Sequence, residues 1–207
     1  LIITKNQREV HNVNAINQKI QIMKTQKIAS LVILGIALTI GTTSNAQKNV
    51  MVGGAPMYPT KNIIENAVNS KDHTTLVAAV KAGDLVEVLS GKGPFTVFAP
   101  NNAAFEKLPP GTVETLLKPE NKSTLQSILT YHVVSGNMDS KAIAKTIKEG
   151  NGKAVLTTVQ GGKLICWMDG KNLMITDEKG SKSMVTIANV YQSNGVIHVV
   201  DSVVLPN

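Results

Sequence analysis

Few side chains in this chain are suited to chemistry. They are four histidines (His11, His73, His132 and His198), one cysteine (Cys166) and one tryptophan (Trp167). His132 stands between Tyr131 and the apolar pair Val133-Val134. An imidazole there has two uses: an outward recognition or acid–base group, or a hydrogen-bonded interior group where a helix passes into a strand. The apolar neighbours favour the second. A hydrolase using His132 would show a nucleophile–base pairing, which cannot be read here, and the chain has no HExxH, GxSxG, phosphate-binding loop or paired cysteines. No enzyme is expected. His198 alternates with Val196 and Val200 in a β-prone run, the position of a scaffold histidine. His73 has polar neighbours and reads as a solvated surface group.

Metal binding fares no better. His132, His198, Asp139 and Asp201 lack any short ligand spacing. Asp169, Asn172, Asp177 and Glu178 are rich in oxygen but lack the spacing of a calcium loop, and Asp169-Gly170 is explained as a hairpin turn. No cofactor or metal is expected. Trp167 lies on the strand face opposite Leu164, Cys166 and Met168. It is either an exposed contact for a sugar or protein, or a cover for the second face of its sheet. Cys166 reads as a small buried hydrophobe, and Met168, Met174 and Met184 as core or sheet filler. Asn121-Lys122-Ser123 matches a glycosylation sequon, which matters only in a host with that machinery.

Composition narrows the partners. The formal net charge is +7, but five of 21 basic residues and one of 14 acidic residues precede Ala46. The rest carries 16 basic and 13 acidic residues, a net of +3, and the basic ones are scattered lysines without an arginine. Nucleic-acid surfaces cluster their charge and use arginine for bidentate contacts, so nucleic acid is excluded as a partner. Hydrophobic residues make up 43% of the chain and aromatic ones 3%, so the core must be aliphatic.

The elements follow from periodicity. Residues 1–22 are polar and without a sustained period, and the first methionine is Met23. Lys24 and Lys27, the apolar run Ile28–Ile40 and the small residues before Ala46 have the layout of a secretory signal peptide over 23–46. Residues 1–22 are then expected to fall outside the native product. The apolar run is too short for a membrane span of about 20 residues. Residues 47–57 read as a flexible leader, with the folded domain beginning near Tyr58 and ending at Pro206. Apolar residues at helical spacing then predict several short helices up to Ile147, with Asn62, Asn101 or Asn102, and Asp139 or Ser140 as caps. From Val155 onward the period becomes two, predicting strands at 155–159, 163–168, 172–176, 184–190, 196–200 and 202–205. Helices early and strands late predict an α+β fold.

Three stretches carry a resemblance. Gly93–Pro109 (GPFTVFAPNNAAFEKLP), the dipeptide Tyr131-His132 and Ser193–Pro206 (SNGVIHVVDSVVLP) resemble, in order and spacing, two sequence boxes and the Tyr-His dipeptide of the fasciclin domain family. The resemblance covers residues 58–206. It implies a twisted β-sandwich-like core flanked by short helices, with Phe95–Phe98 joining the later strands. It also implies an exported, non-enzymatic, adhesion-type module of the cell surface or extracellular matrix. Its partner would be a surface or matrix protein or glycan, with Tyr131 and His132 as a recognition pair; Trp167, from its own strand face, is the further candidate contact. The alternative is a carrier of a small apolar ligand, because an aliphatic core can leave a pocket between sheet and early helices.

Overall fold

The computed structural model describes residues 49–207; the expected signal segment and residues 1–22 lie outside them. The described chain opens on a hairpin, β1 (Val50–Val52) and β2 (Ala55–Met57). Asn62 starts α1 (Ile63–Ala67). Its side chain accepts the Glu65 N–H while the Glu65 carboxylate accepts the Asn62 N–H, closing a capping box. A 3₁₀ turn at Lys71–His73 leads into α2 (Thr74–Ala82), and α3 (Val86–Ser90) stops at Gly91. After β3 (Phe95–Pro100), Asn101 caps α4 (Asn102–Glu106) by accepting the Ala104 N–H. Asn102, the other candidate cap, serves α2 instead: its Oδ1 accepts from the Thr75 N–H and the Thr74 hydroxyl. Then come α5 (Thr112–Leu116), α6 (Lys122–Tyr131), β4 (Val133–Ser135) and α7 (Ser140–Glu149), the last capped by Asp139. The remaining strands are β5 (Lys153–Thr157), β6 (Lys163–Asp169), β7 (Asn172–Thr176), β8 (Lys182–Gln192) and β9 (Gly195–Val200).

Seven strands form one sheet in the order β4-β3-β9-β8-β7-β6-β5. Only β3 and β9 run parallel; the other neighbours are antiparallel. β8 shifts register on either side of Ile187, and these irregularities bend it so that it serves both halves of the sheet. A bridge between Val134 and Thr158 brings the two sheet edges together, so the sheet curls almost into a barrel. Its interior holds Phe98, Leu164, Cys166, Ile175 and Val200, plugged by Ile143 and Ile147 of α7. A second cluster packs Val97, Ala99, Ile197 and Val199, on the other face of β3 and β9, against the early helices through Ile63, Val80, Leu89 and Leu129. β3 and β9 are thus covered on both faces, which is why their sequences are nearly unbroken apolar runs.

Four expectations need correction. Residues 50–57 are a hairpin, not a flexible leader, and Val52 and Met57 belong to the helix-side core. The compact unit accordingly begins before Tyr58. Residues 202–205 form no strand, although Val203 and Val204 are buried, because the N–H groups of Ser202, Val204 and Leu205 turn to side chains rather than to a ladder. Met168 is 41% exposed, since β6 runs out of the core before its end. His73 is 4% exposed rather than solvated. The β1–β2 hairpin closes over its turn, with the Gly53 carbonyl accepting the Lys71 N–H and Gly53 lying against Ser70.

Candidate functional site

Tyr131 and His132 end α6 and point into different parts of the interior. Tyr131 is 0% exposed and belongs to the barrel cluster. Its hydroxyl donates to the Lys163 carbonyl at 2.7 Å and accepts from the Glu178 N–H at 3.2 Å. Gly162 has no side chain because the ring fills that space: a Cβ there would lie 2.7 Å from Tyr131 Cε2. His132 is 3% exposed. Its Nδ1–H donates to the Ile128 carbonyl at 2.8 Å, which fixes the tautomer, and its Nε2 accepts the Val204 N–H at 3.2 Å. Burial pushes the imidazole down to about 4, so it is neutral at physiological pH. Each polar atom of the dipeptide is used inside the protein. In this arrangement Tyr131 and His132 are not a surface recognition pair. They pin α6 to the β6 start, the β7–β8 loop and the C-terminal segment.

His198 and Asp177 are equally occupied. His198 Nε2–H donates to the Met138 carbonyl at 2.9 Å, its Nδ1 faces the Asn189 N–H at 3.4 Å, and burial lowers its pKa. Asp177 Oδ1 accepts the Lys179 and Ser181 N–H groups and Oδ2 accepts that of Leu205, so both oxygens of the carboxylate weighed for calcium are engaged within the chain. Cys166 is buried in the barrel, and burial raises its thiol to about 12. Among the described residues no three His, Cys, Asp or Glu side chains are grouped to hold a metal. His73 is the exception in satisfaction. Its Nδ1 pairs with the Ser70 hydroxyl at 2.9 Å while Nε2 lacks a partner.

An apolar cavity of about 60 Å³ lies between the early helices and the sheet, lined by Val80, Val97, Ile197 and His73 among others. An engineered dry cavity of about 150 Å³ is what admits benzene. That cavity leaves no room for a lipid-sized cargo, while a more open groove of about 630 Å³ lies between α2, α5, α6 and the C-terminal segment, lined by Leu76, Phe105, Leu116, Leu125 and Leu205 among others.

Trp167 is the site residue that meets solvent. It sits on the outward face of β6, partly exposed, with Nε1–H donating to the Thr176 hydroxyl at 3.0 Å. The Lys182 ammonium stands 5.3 Å from its ring centroid. Sequence reasoning missed Asn66 and Asn194, two buried or half-buried tethers. Asn66 grips the Tyr58 backbone with both ends of its amide. Asn194 accepts the Ile63 N–H and donates to the Leu89 and Gly91 carbonyls. Asn66 gives no signal of its own within a helical stretch and Asn194 before Gly195 reads only as a turn residue, so the distant partners alone reveal the role.

Comparison with known proteins decides the family. The fasciclin domain profile matches residues 71–206. The chain belongs to the fasciclin domain family. It is 43% identical over 189 residues to protein sll1483 of Synechocystis, covering 86% of this chain and 95% of that one. To human periostin it is 31% identical over 145 residues, 70% of this chain but 16% of periostin. To the immunogenic protein MPB70 of Mycobacterium bovis it is 36% identical over 145 residues, 68% of this chain and 66% of that one. Among solved structures, a FAS1 domain pair from the insect cell adhesion molecule fasciclin I superposes with a TM-score of 0.64 at 20% identity. That match covers 70% of this chain and 51% of the pair, and shows the fold. The α+β fasciclin fold and the pairing of Phe95–Phe98 with the last strand are as the motifs implied.

Proposed function

We propose that this fasciclin-domain chain is an exported, non-enzymatic interaction module of the adhesion type, acting at the cell surface or in the extracellular matrix. The observation that carries the reading is the fate of the reactive groups. His132, His198 and Cys166 are locked inside with their polar atoms satisfied or their thiol protonated, while the single tryptophan stands on an open sheet face. Catalysis needs a reactive atom that substrate can reach; recognition needs an accessible rigid aromatic. The insect fasciclin I, a cell adhesion molecule of the same fold, supports this reading. Among the described residues no helix is long and apolar enough to cross a membrane.

The test is binding of the purified protein to intact cells, matrix proteins and arrayed glycans. Saturable binding to one of these is expected, and its absence from all three overturns the reading. Export is tested separately by the mass of the native product: a chain starting at Gln47 supports it, and retention of Ile28–Ile40 sinks it.

A further inference from the structure

The outward face of β5, β6, β7 and β8 is built in rows. Strand register places Lys153, Trp167, Met174 and Met184 side by side across the sheet. The next row brings Val155 against Ile165 and ends at Lys182. The opposite face of the same strands carries Leu164, Cys166 and Ile175, buried beneath α7. Among the described residues the outward rows have no such cover: Val155 is 57% exposed, and Ile165, Trp167, Met174 and Met184 are partly exposed. A soluble domain seldom leaves a contiguous apolar patch open unless something docks on it.

The chemistry of the patch selects the partner. Its centre is one tryptophan, two methionines and two aliphatic side chains, and charge is confined to the border. Interface cores between proteins are enriched in Trp and Met and depleted in charge, with a polar rim around them. Methionine also adapts its shape to a partner. A sugar site would set amides or carboxylates beside the aromatic ring, whereas Trp167 has Met174 across the ladder and Thr176 at its Nε1. The border is mainly cationic. Lys153, Lys163 and Lys182 occupy outward positions, against Asp169 at the hairpin end and the Glu178 carboxylate, which accepts the Lys163 N–H. Lys182 already leans over the Trp167 ring.

We propose that this face binds an acidic protein segment, with its apolar side chains on Trp167, Met174 and Met184 and its carboxylates on Lys153, Lys163 and Lys182. The proposal rests on the interaction-module reading and names its surface and the character of its partner.

The chain supplies its own reporter, because Trp167 is the only tryptophan and its emission reads this face alone. The probe is a synthetic peptide of alternating Glu and Leu, titrated into the full protein. The expected result is a saturable blue shift that weakens as salt rises. Met174→Glu and Val155→Glu, both outward and expected to fold with unchanged far-ultraviolet circular dichroism, should each weaken binding by roughly tenfold or more. A Lys–Leu peptide should give no shift. No saturable response to the Glu–Leu peptide overturns the proposal. So does an equal response to dextran sulfate, which reassigns the face to polyanions, or to vesicles of phosphatidylglycerol, which reassigns it to lipid. Running the same protein in the cell and matrix assays separates the two ideas. Matrix binding without peptide binding removes this face and keeps the module. Peptide binding without any cell or matrix binding keeps the face and removes the module.

Discussion

Phe98 and His198 are register partners on the parallel strands β3 and β9, and their rings stack 5.6 Å apart at 26° inside the barrel. The histidine adds what a second phenylalanine could not. Its two nitrogens reach the Met138 carbonyl ahead of α7 and the N–H of Asn189, a residue at φ 60° on β8. One side chain therefore ties the two central strands to the α7 entrance and to the irregular part of β8. His198→Phe should keep the stack but strand both backbone groups in the interior. A loss of about 2–4 kcal/mol in urea denaturation is expected. A loss below about 0.5 kcal/mol would show that neither bond contributes.

Acid should weaken the fold through its histidines. His73, His132 and His198 all have pKa values lowered by burial, His132 to about 4 against an ordinary 6.5. The unfolded chain therefore binds more protons than the folded one between those limits. Stability is fully present above about pH 6.5 and falls as pH drops toward 4. For His132 the displacement corresponds to about 3 kcal/mol. Urea midpoints measured across pH 4–7 should rise with pH, and His132→Gln should flatten part of that slope. A midpoint independent of pH in this window would contradict neutral burial.

Tyr131 and His132 should behave as scaffold when mutated. Tyr131→Phe removes the hydroxyl that joins the Lys163 carbonyl to the Glu178 N–H, at an expected cost of about 1–2 kcal/mol. His132→Ala leaves the Val204 N–H and the Ile128 carbonyl without their partner, at about 2–4 kcal/mol. Thermal denaturation checks both. A variant of unchanged stability that loses binding to cells or matrix would return the dipeptide to a recognition role.

What could be read in the sequence was mostly local. The Asn62–Glu65 box and a cap at Asp139 or Ser140, which the structure assigns to Asp139, were legible because a helix cap and its targets lie within three residues. β7 was legible because Asp169-Gly170 and strict alternation mark both its start and its faces. The β1–β2 hairpin was not. Its strands are three residues long, and Val52 and Met57 are buried by helices that come later in the chain. His73 failed for the same reason: polar neighbours described its turn, while its burial comes from the hairpin folded over it. For the candidate site, the sequence identified Tyr131, His132 and Trp167 as unusual but could not orient them. A dipeptide at a helix end can face in or out, and Trp167 was placed only once its Lys153 and Met174 neighbours were known.

Gly195 tests whether β3 and β9 must meet at their first residues. It opposes Phe95 in the parallel ladder, and a Cβ on it would lie 2.1 Å from the Phe95 carbonyl oxygen. The obstacle is backbone in a buried strand, so no flexible side chain can move aside. Gly195→Ala should force the start of the ladder apart, disturb the adjoining Asn194 amide that holds α1 and α3, and cost about 3 kcal/mol or more. Ser193→Ala, at an exposed position two residues earlier, should stay within about 0.5 kcal/mol. Soluble yield and urea midpoint read both variants. Equal stability of the two would mean that the strands can part at this end without harm.

Trp167 should show the opposite balance between stability and binding. It lies outside both core clusters, and its ring is held by the Thr176 hydroxyl and by Lys182 at the surface. Truncation to alanine removes a half-exposed aromatic from one sheet face, so the expected loss of stability is about 1 kcal/mol, far below that for a buried ring. Binding to the cell or matrix component should fall by about tenfold or more, since rigid aromatics at the centre of an interface carry much of its energy. Trp167→Phe should recover part of the affinity by restoring a flat ring without the indole N–H. Isothermal titration against the bound component, with denaturation run in parallel, measures both quantities. A variant that loses several kcal/mol in stability but keeps its affinity would mean that Trp167 covers the sheet and the contact surface lies elsewhere.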